Sequence, residues 1–234
     1  MLVLKDRPIL FIRKINSIAI TDLHFGIENE LRKKGINLPN QKEKFLRILR
    51  EAKEETKAKR LIIIGDVKHK VPGISLSELK NLKEFFEELT KDFKVIVAKG
   101  NHDDRLEDIL ENVKIFSSRG FKINEFAFFH GHAWPFSHLW NCKYFIVGHL
   151  QAAVEIREKN VKEIKKVIIK SKPKIKKGNV KEIIVLPSFN DFAGNFIINK
   201  NKELTGIFQR IIDPENSEVF LLNGISLGSI KDLS

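Results

Sequence analysis

Short apolar runs recur along the chain, each closed by a glycine or a charged residue, and those of four or more predict strands covered on both faces. Residues 17–22 (SIAITD), 61–66 (LIIIGD) and 94–100 (KVIVAKG) are the first three. A different spacing separates them. Residues 41–57 carry Phe45, Ile48, Leu49 and Ala52 at helical intervals, which predicts an amphipathic helix. After a loop holding Pro72 and Gly73, Ser75-Leu-Ser-Glu78 has the capping-box pattern. It opens a second helix with Leu79, Leu82, Phe86 and Leu89 on its inner face. A short helix is expected near residues 106–110.

Beyond Arg119 the pattern turns to strands: FKI, EFAFFHG, KYFIVGH, AAVEIR, KKVIIK, KEIIVLP and SEVFLLNG. The first half therefore reads as α/β and the second as β-rich. The 234 residues suit one domain spanning 1–234. Residues 157–182 are the most basic segment, and Pro173 with Lys176-Lys177-Gly178 predicts a turn between two exposed strands. Its lysines serve either to block edge pairing or to track phosphates.

Composition narrows the chemistry. At 42% hydrophobic the chain can build a core, which excludes a disordered tail. A net charge of +12 favours anionic partners such as nucleic acid or phosphorylated compounds, or reflects a Lys/Glu-rich thermophile surface. Cys142 is the one cysteine, so an internal disulfide and a thiolate zinc site are both excluded, in keeping with a reducing cytoplasm. The apolar runs are too short to span a membrane. Lys5, Asp6, Arg13 and Lys14 interrupt the N-terminal segment, so no signal peptide is expected.

Five strand exits share one kind of residue. SIAITDLH ends on Asp22 and His24. LIIIGDVKH ends on Asp66 and His69. VIVAKGNHDD ends on Asn101, His102, Asp103 and Asp104. FAFFHGH ends on His130 and His132. YFIVGHLQ ends on His149 and Gln151. Six of the seven histidines lie here, the exception being His138. Layered α/β folds bind ligands outside the carboxyl ends of strands, so these exits can converge. Asp, Asn and His without thiolate suit Mn²⁺, Fe²⁺, Zn²⁺ or Ni²⁺. The donors outnumber the needs of one ion and would hold two, about 3.5–4 Å apart. Asp66 is the natural bridge, because Gly65 lets the chain turn sharply. Two cations would also offset the desolvation of a carboxylate at the mouth of a core strand.

The ordered series DLH, GDVKH, GNHD, HGH and GHLQ resembles the calcineurin-like metallophosphoesterase superfamily. The segment PSFNDFAGN, residues 187–195, is similar to a narrower branch found beside DNA ligase or Lhr-type helicase genes, and to its archaeal relatives. The resemblance implies a four-layer α/β-β/α sandwich of two mixed sheets, with the metal site above the inner sheets. It implies a phosphoesterase holding two divalent ions, Mn²⁺ foremost and Ni²⁺, Fe²⁺ or Zn²⁺ as alternatives. Asp22 and His24 would bind the first ion, Asp66 would bridge, and Asn101, His130 and His149 would bind the second. His102 would stand near the scissile phosphate as general acid, or at least hold the transition-state charge.

Two positions depart from the family pattern. Gln151 stands where a second histidine usually serves the first ion, and its amide oxygen is a weaker ligand for these metals. His69 stands where an Asp or Asn can orient the catalytic histidine, a task that Asp103 or Asp104 would have to take over. His132 and Trp134 line a substrate groove or pack as a wall, and His69 is placed with His132 on the substrate side. The expected activity is phosphodiester hydrolysis, with nucleic acid the favoured substrate and a helicase or ligase the implied partner. The alternatives are a small-molecule phosphodiesterase or phosphomonoesterase, and a degenerate metal- or nucleic-acid-binding protein.

Overall fold

Alternate residues of each central strand enter different cores. In β4 (Arg60–Ile64), Leu61 and Ile63 face one cluster while Ile62 and Ile64 face another, and none of the four is exposed. A strand points successive side chains to opposite faces, so an unbroken apolar run requires cover on both sides. The computed structural model describes residues 1–39, 41–69, 75–158, 161–201 and 203–233. The loop expected at Pro72 and Gly73 lies outside these residues.

The first sheet holds β1 (Leu2–Val3), β2 (Leu10–Ile12), β3 (Ser17–Thr21), β4, β5 (Lys94–Ala98) and β6 (Lys114–Phe116), in that order. From β3 to β6 the strands are parallel, and β1 and β2 add antiparallel. Between them the chain forms α1 (Ile27–Lys33), α2 (Lys42–Thr56) and α3 (Leu76–Asp92). The second sheet contains β7 (Phe121–Ile123), β8 (Phe126–Phe129), β9 (Tyr144–Val147), β10 (Ala152–Glu158), β11 (Val161–Pro173), β12 (Glu182–Val185), β13 (Phe196–Ile197) and β14 (Ile212–Leu221). Two single-turn helices, α4 (Phe208–Ile211) and α5 (Ile230–Leu233), flank β14 in sequence.

These elements stack as the expected four-layer sandwich of two mixed sheets. Helices α2 and α3 cover the outer face of the first sheet with Phe45, Leu49, Leu82, Phe85, Phe86 and Leu89. The capping box forms: Ser75 Oγ accepts from the Glu78 N–H, and Glu78 Oε2 accepts from the Ser75 N–H. Phe85 takes a core position on α3, whereas Leu79 is only half-buried. Ile62, Ile64, Phe128, Ile146 and Ile184 fill the space between the sheets. The fourth layer is thin, because single helical turns at Ser137–Asn141, Ile198–Lys200, α4 and α5 supply Trp140, Ile198, Phe208 and Ile230. No helix among the described residues is long and apolar enough to cross a membrane.

The basic segment folds differently from expectation. Its exposed hairpin is β10 with the first half of β11, in register from Ala153↔Lys166 to Glu158↔Val161. The turn near Pro173–Gly178 instead leads β11 into β12 inside the sheet, where Ile168, Ile169, Ile183 and Ile184 are fully buried. Strand β11 is long enough to be polar at one end and core at the other. Several hairpin lysines are paired, Lys162 with Glu155 at 2.8 Å and Lys166 with Asp191 at 2.8 Å.

Register places the site. Thr21 pairs with Ile64 and Ile64 with Ala98, so the exits of β3, β4 and β5 leave at one level. In the second sheet Phe129, Val147 and Val185 are likewise aligned.

Candidate metal centre

At the exits the backbone leaves extended geometry abruptly. Asp22 (φ 53°), His24 (φ 41°), Asp66 (φ 48°), His149 (φ 65°) and Gln151 (φ 52°) all adopt left-handed conformations. Such residues cost of order 1–3 kcal/mol each and persist where the surroundings over-determine them. Here they fold the chain back so that the side chains gather above the sheets. Gly65 is required by close approach: a Cβ there would stand 2.3 Å from His130 Nδ1.

Two donor triads share Asp66: Asp22–His24–Asp66, and Asp66–His130–His149. Asp66 Oδ2 lies 3.6 Å from His24 Nε2 and 3.2 Å from His130 Nε2. Asp22 Oδ1 lies 3.9 Å from each of the same nitrogens. His149 Nδ1 is 3.1 Å from His130 Nε2. The His130 tautomer is fixed from outside, because its Nδ1–H donates to the Ile64 carbonyl at 2.9 Å and leaves Nε2 facing the carboxylates.

Charge in this cluster follows from burial. Asp22 is fully buried, and desolvation pushes its carboxyl up despite the neighbouring His130. Burial also opposes ionisation of Asp66, but the hydrogen bond and charge of His130, the His102 N–H and His24 outweigh it and hold Asp66 well below the carboxylate range. Desolvation would lower His130; Asp22 and then Asp66 reverse this and lift it to about 9. His24 and His149, buried with less compensation, fall to about 4.

The remaining predicted residues surround this centre. The His102 N–H donates to Asp66 Oδ1 at 3.0 Å, and its ring Nδ1–H donates to the His69 carbonyl at 2.5 Å. The main chain of residue 69 therefore orients His102, while the His69 ring turns toward His24 and Glu30. The His69 ring also lies beside that of His102, with centroids 5.9 Å apart, and its nitrogens group with those of His24 and His102. Asp103 does not pair with His102. It is buried and accepts from the N–H groups of Val67 and Gly100, each at 2.8 Å, so it ties two exit loops together. Asn101 is exposed on the same loop, beside Gly100 and His102. Gln151 presents its amide N–H₂ to His24 Nε2 (3.0 Å) and Asp22 Oδ1 (3.3 Å) and turns its carbonyl toward Gly194. Ligation by that carbonyl needs the amide to turn over. The His132 ring is 5.3 Å from that of His130. Trp134 is 41% exposed, which favours a surface role over a packed wall.

Sequence reasoning missed three supports. The Thr21 hydroxyl sits 2.5 Å from Asp22 Oδ2. Asn190 Nδ2 donates to the Leu23 carbonyl at 2.8 Å and so braces the turn between Asp22 and His24. Glu30 holds His69 at 2.8 Å. Asn190 lay within the PSFNDFAGN segment, a usable signal; Glu30, four residues before Lys34, reads as an ordinary surface acid.

The donor set fits divalent cations. Two ligands each about 2.1 Å from an ion stand roughly 3–3.4 Å apart at tetrahedral to octahedral angles, and the separations at Asp66, His130 and His149 match this. Nitrogen and oxygen donors without thiolate suit borderline divalent metals.

The calcineurin-like phosphoesterase family matches residues 15–191. Among solved structures, the nuclease MPE of Pseudomonas putida superposes with a TM-score of 0.64 over 94% of this chain and 92% of its own, at 17% identity. Yfce, a phosphoesterase from E. coli, aligns over 62% of this chain and 75% of its own at 17% identity, with a TM-score of 0.38. No curated protein matches the chain.

Proposed function

We propose that this chain, which belongs to the calcineurin-like phosphoesterase family, hydrolyses phosphodiester bonds of nucleic acid at a two-cation centre. Family membership makes it a metal-dependent phosphoester hydrolase. The observation that carries the two-cation reading is Asp66 Oδ2 standing between His24 Nε2 and His130 Nε2, each imidazole backed by a triad of its own. Asp22, His24, Asp66 and Gln151 would hold the first ion, and Asp66, Asn101, His130 and His149 the second, with Mn²⁺ as the native metal. Bound there, the ions supply Lewis-acid polarisation of the phosphoester and activation of water.

The chain's own groups do the rest. The His69 carbonyl and Asp66 pin His102 at both its ring and its main chain. Its Nε2 is left to face the substrate and hand a proton to the departing ester oxygen. Trp134, two residues beyond His132, offers an exposed ring. Phe192, 37% exposed, offers another, between Asn190 at the Leu23 carbonyl and Gly194 at Gln151. Exposed aromatic faces stack unpaired bases, and the net charge of +12 draws a polyanion. The nuclease whose fold this chain shares adds support to that substrate class. Partnership with a helicase or ligase rests on the PSFNDFAGN likeness alone.

The test is turnover of single- and double-stranded DNA and RNA beside bis-p-nitrophenyl phosphate and a cyclic nucleotide, each with Mn²⁺, Ni²⁺, Zn²⁺ or Mg²⁺. Polynucleotide cleavage that falls steeply between about 50 and 200 mM salt supports the proposal. Turnover of the cyclic nucleotide without cleavage of any polynucleotide would sink it in favour of a small-molecule phosphodiesterase.

A further inference from the structure

A chain of three side chains runs from the protein surface into the metal centre. Glu30, on α1, has one carboxylate oxygen on Lys34 (Oε1, 2.6 Å) and the other on His69 Nε2 (Oε2, 2.8 Å). The opposite nitrogen of His69 faces His24 Nδ1 at 3.2 Å. The far nitrogen of His24, Nε2, points at Asp66, Asp22 and Gln151.

The protons in this chain can be placed from its outer end. Ionised Glu30 only accepts, so His69 Nε2 carries hydrogen and its Nδ1 holds a lone pair. That lone pair takes the hydrogen of His24 Nδ1, which leaves His24 Nε2 bare. The inner end agrees, because the Gln151 amide N–H₂ donates to that same bare nitrogen at 3.0 Å. A histidine binds metal through an unprotonated nitrogen, and the partner of its other nitrogen sets which one that is.

We propose that Glu30 and His69 are positioning residues that hold His24 in the tautomer able to bind the first cation. The proposal rests on the two-cation reading of the site and adds to it a surface carboxylate and a histidine at a position where relatives carry Asp or Asn. In His69→Asn the amide Oδ1 lies the same number of bonds from the backbone as His69 Nδ1 and can accept the same hydrogen. The difference is that a carboxamide or carboxylate accepts unaided, whereas His69 depends on Glu30 to keep its own hydrogen on Nε2.

This dependence gives a decisive variant. In Glu30→Gln the Lys34 ammonium keeps the amide carbonyl on its side and turns the N–H₂ toward His69. His69 Nε2 must then accept, its hydrogen moves to Nδ1, and His24 is pushed into the tautomer whose Nε2–H blocks the first site. Calorimetric titration of the metal-stripped protein with Mn²⁺ should show first-site affinity lowered about 10- to 100-fold, the usual range for loss of a ligand's outer partner. Nitrogen-15 NMR of the same metal-free protein should show His24 Nε2 changing from pyridine-type to pyrrole-type. In a His69→Asn background the further change Glu30→Gln should alter Mn²⁺ affinity less than about twofold, because the relay is bypassed. Unchanged affinity and an unchanged His24 signature in Glu30→Gln would overturn the proposal, and so would an equal loss in both backgrounds, which would make Glu30 a structural prop of α1. A wild-type protein that takes up no transition metal would overturn the two-cation reading instead, and the His24 signature would still decide the relay.

Discussion

Stripping the protein of divalent ions and raising the pH from 6.5 to 9 is expected to destabilise it. Without metal, the positive group set against Asp22 and Asp66 is the His130 imidazolium, 3.2 Å from Asp66 and 3.9 Å from Asp22. Those carboxylates lift His130 from 6.5 to about 9 against the opposing effect of burial. A folded value above the unfolded one means the stabilisation is fully present below pH 6.5 and is lost as pH rises through about 9. A rise from 6.5 to about 9, at about 1.4 kcal/mol per pH unit, gives about 3.5 kcal/mol as the upper size of the loss. For a chain of this length that corresponds to a fall in Tm of about 7–14 °C at most. The assay is differential scanning calorimetry of chelator-treated protein at half-unit steps of pH, beside a Mn²⁺-saturated sample. Saturation needs His130 neutral, so the alkaline fall should be absent there, and Mn²⁺ affinity should climb over the same interval as fewer protons must be displaced. The slope should also vanish in His130→Gln. A metal-free Tm that stays level or rises between pH 6.5 and 9 refutes the reasoning. On the acid side the sign reverses: His24 and His149 sit near 4, so the stability they allow is present above 6.5 and lost as pH falls toward 4.

Other substitutions test single roles. Asp66→Asn should lower turnover more than about 100-fold and reduce occupancy at both positions by metal analysis, and near-normal activity would remove Asp66 as the shared ligand. His102→Ala should leave metal content intact and slow alkoxide-leaving substrates by about 10² to 10⁴, with a smaller loss on p-nitrophenyl esters; equal losses on both would argue against proton donation. Gln151→His should saturate at lower Mn²⁺ and keep more metal through desalting, because imidazole replaces an amide that offers its nitrogen to His24. Trp134→Ala and Phe192→Ala should each weaken single-stranded substrate binding by about 1–3 kcal/mol, read as KM, while leaving bis-p-nitrophenyl phosphate turnover unaltered.

Much of this was written in the chain. The alternation within Leu61–Ile64 demanded cover on both faces, and the two cores around β4 provide it. The residues that closed those strands were legible because a carboxylate at the end of a core strand needs a reason. What stayed hidden depends on three-dimensional accidents of main chain. The sequence offered side chains as partners for His102, but the group that orients it is the carbonyl of residue 69, and every residue has a carbonyl. Asp103 sat beside His102 in sequence and looked available, yet its two oxygens are spent on the N–H groups of Val67 and Gly100. The N-terminal strands and α1 carry too few periodic apolar residues to announce themselves. The lysine-rich hairpin turned at a place that pattern alone did not mark, because β11 changes from surface to core midway along one strand.

The five left-handed residues at the strand exits set a limit on how this protein can be improved. Replacing Asp22, His24, Asp66, His149 or Gln151 by glycine would relieve backbone strain of order 1 kcal/mol or more at each position. A selection for thermal stability applied to the metal-free chain would therefore be drawn to the very positions that make the centre. The same selection carried out with saturating metal would be held away from any of them that ligates, since the relieved residue there would forfeit a ligand worth more than the strain. Stability engineering of this fold is thus a question of which form is on the table when variants are scored: the loaded protein protects its chemistry, and the stripped protein rewards its loss.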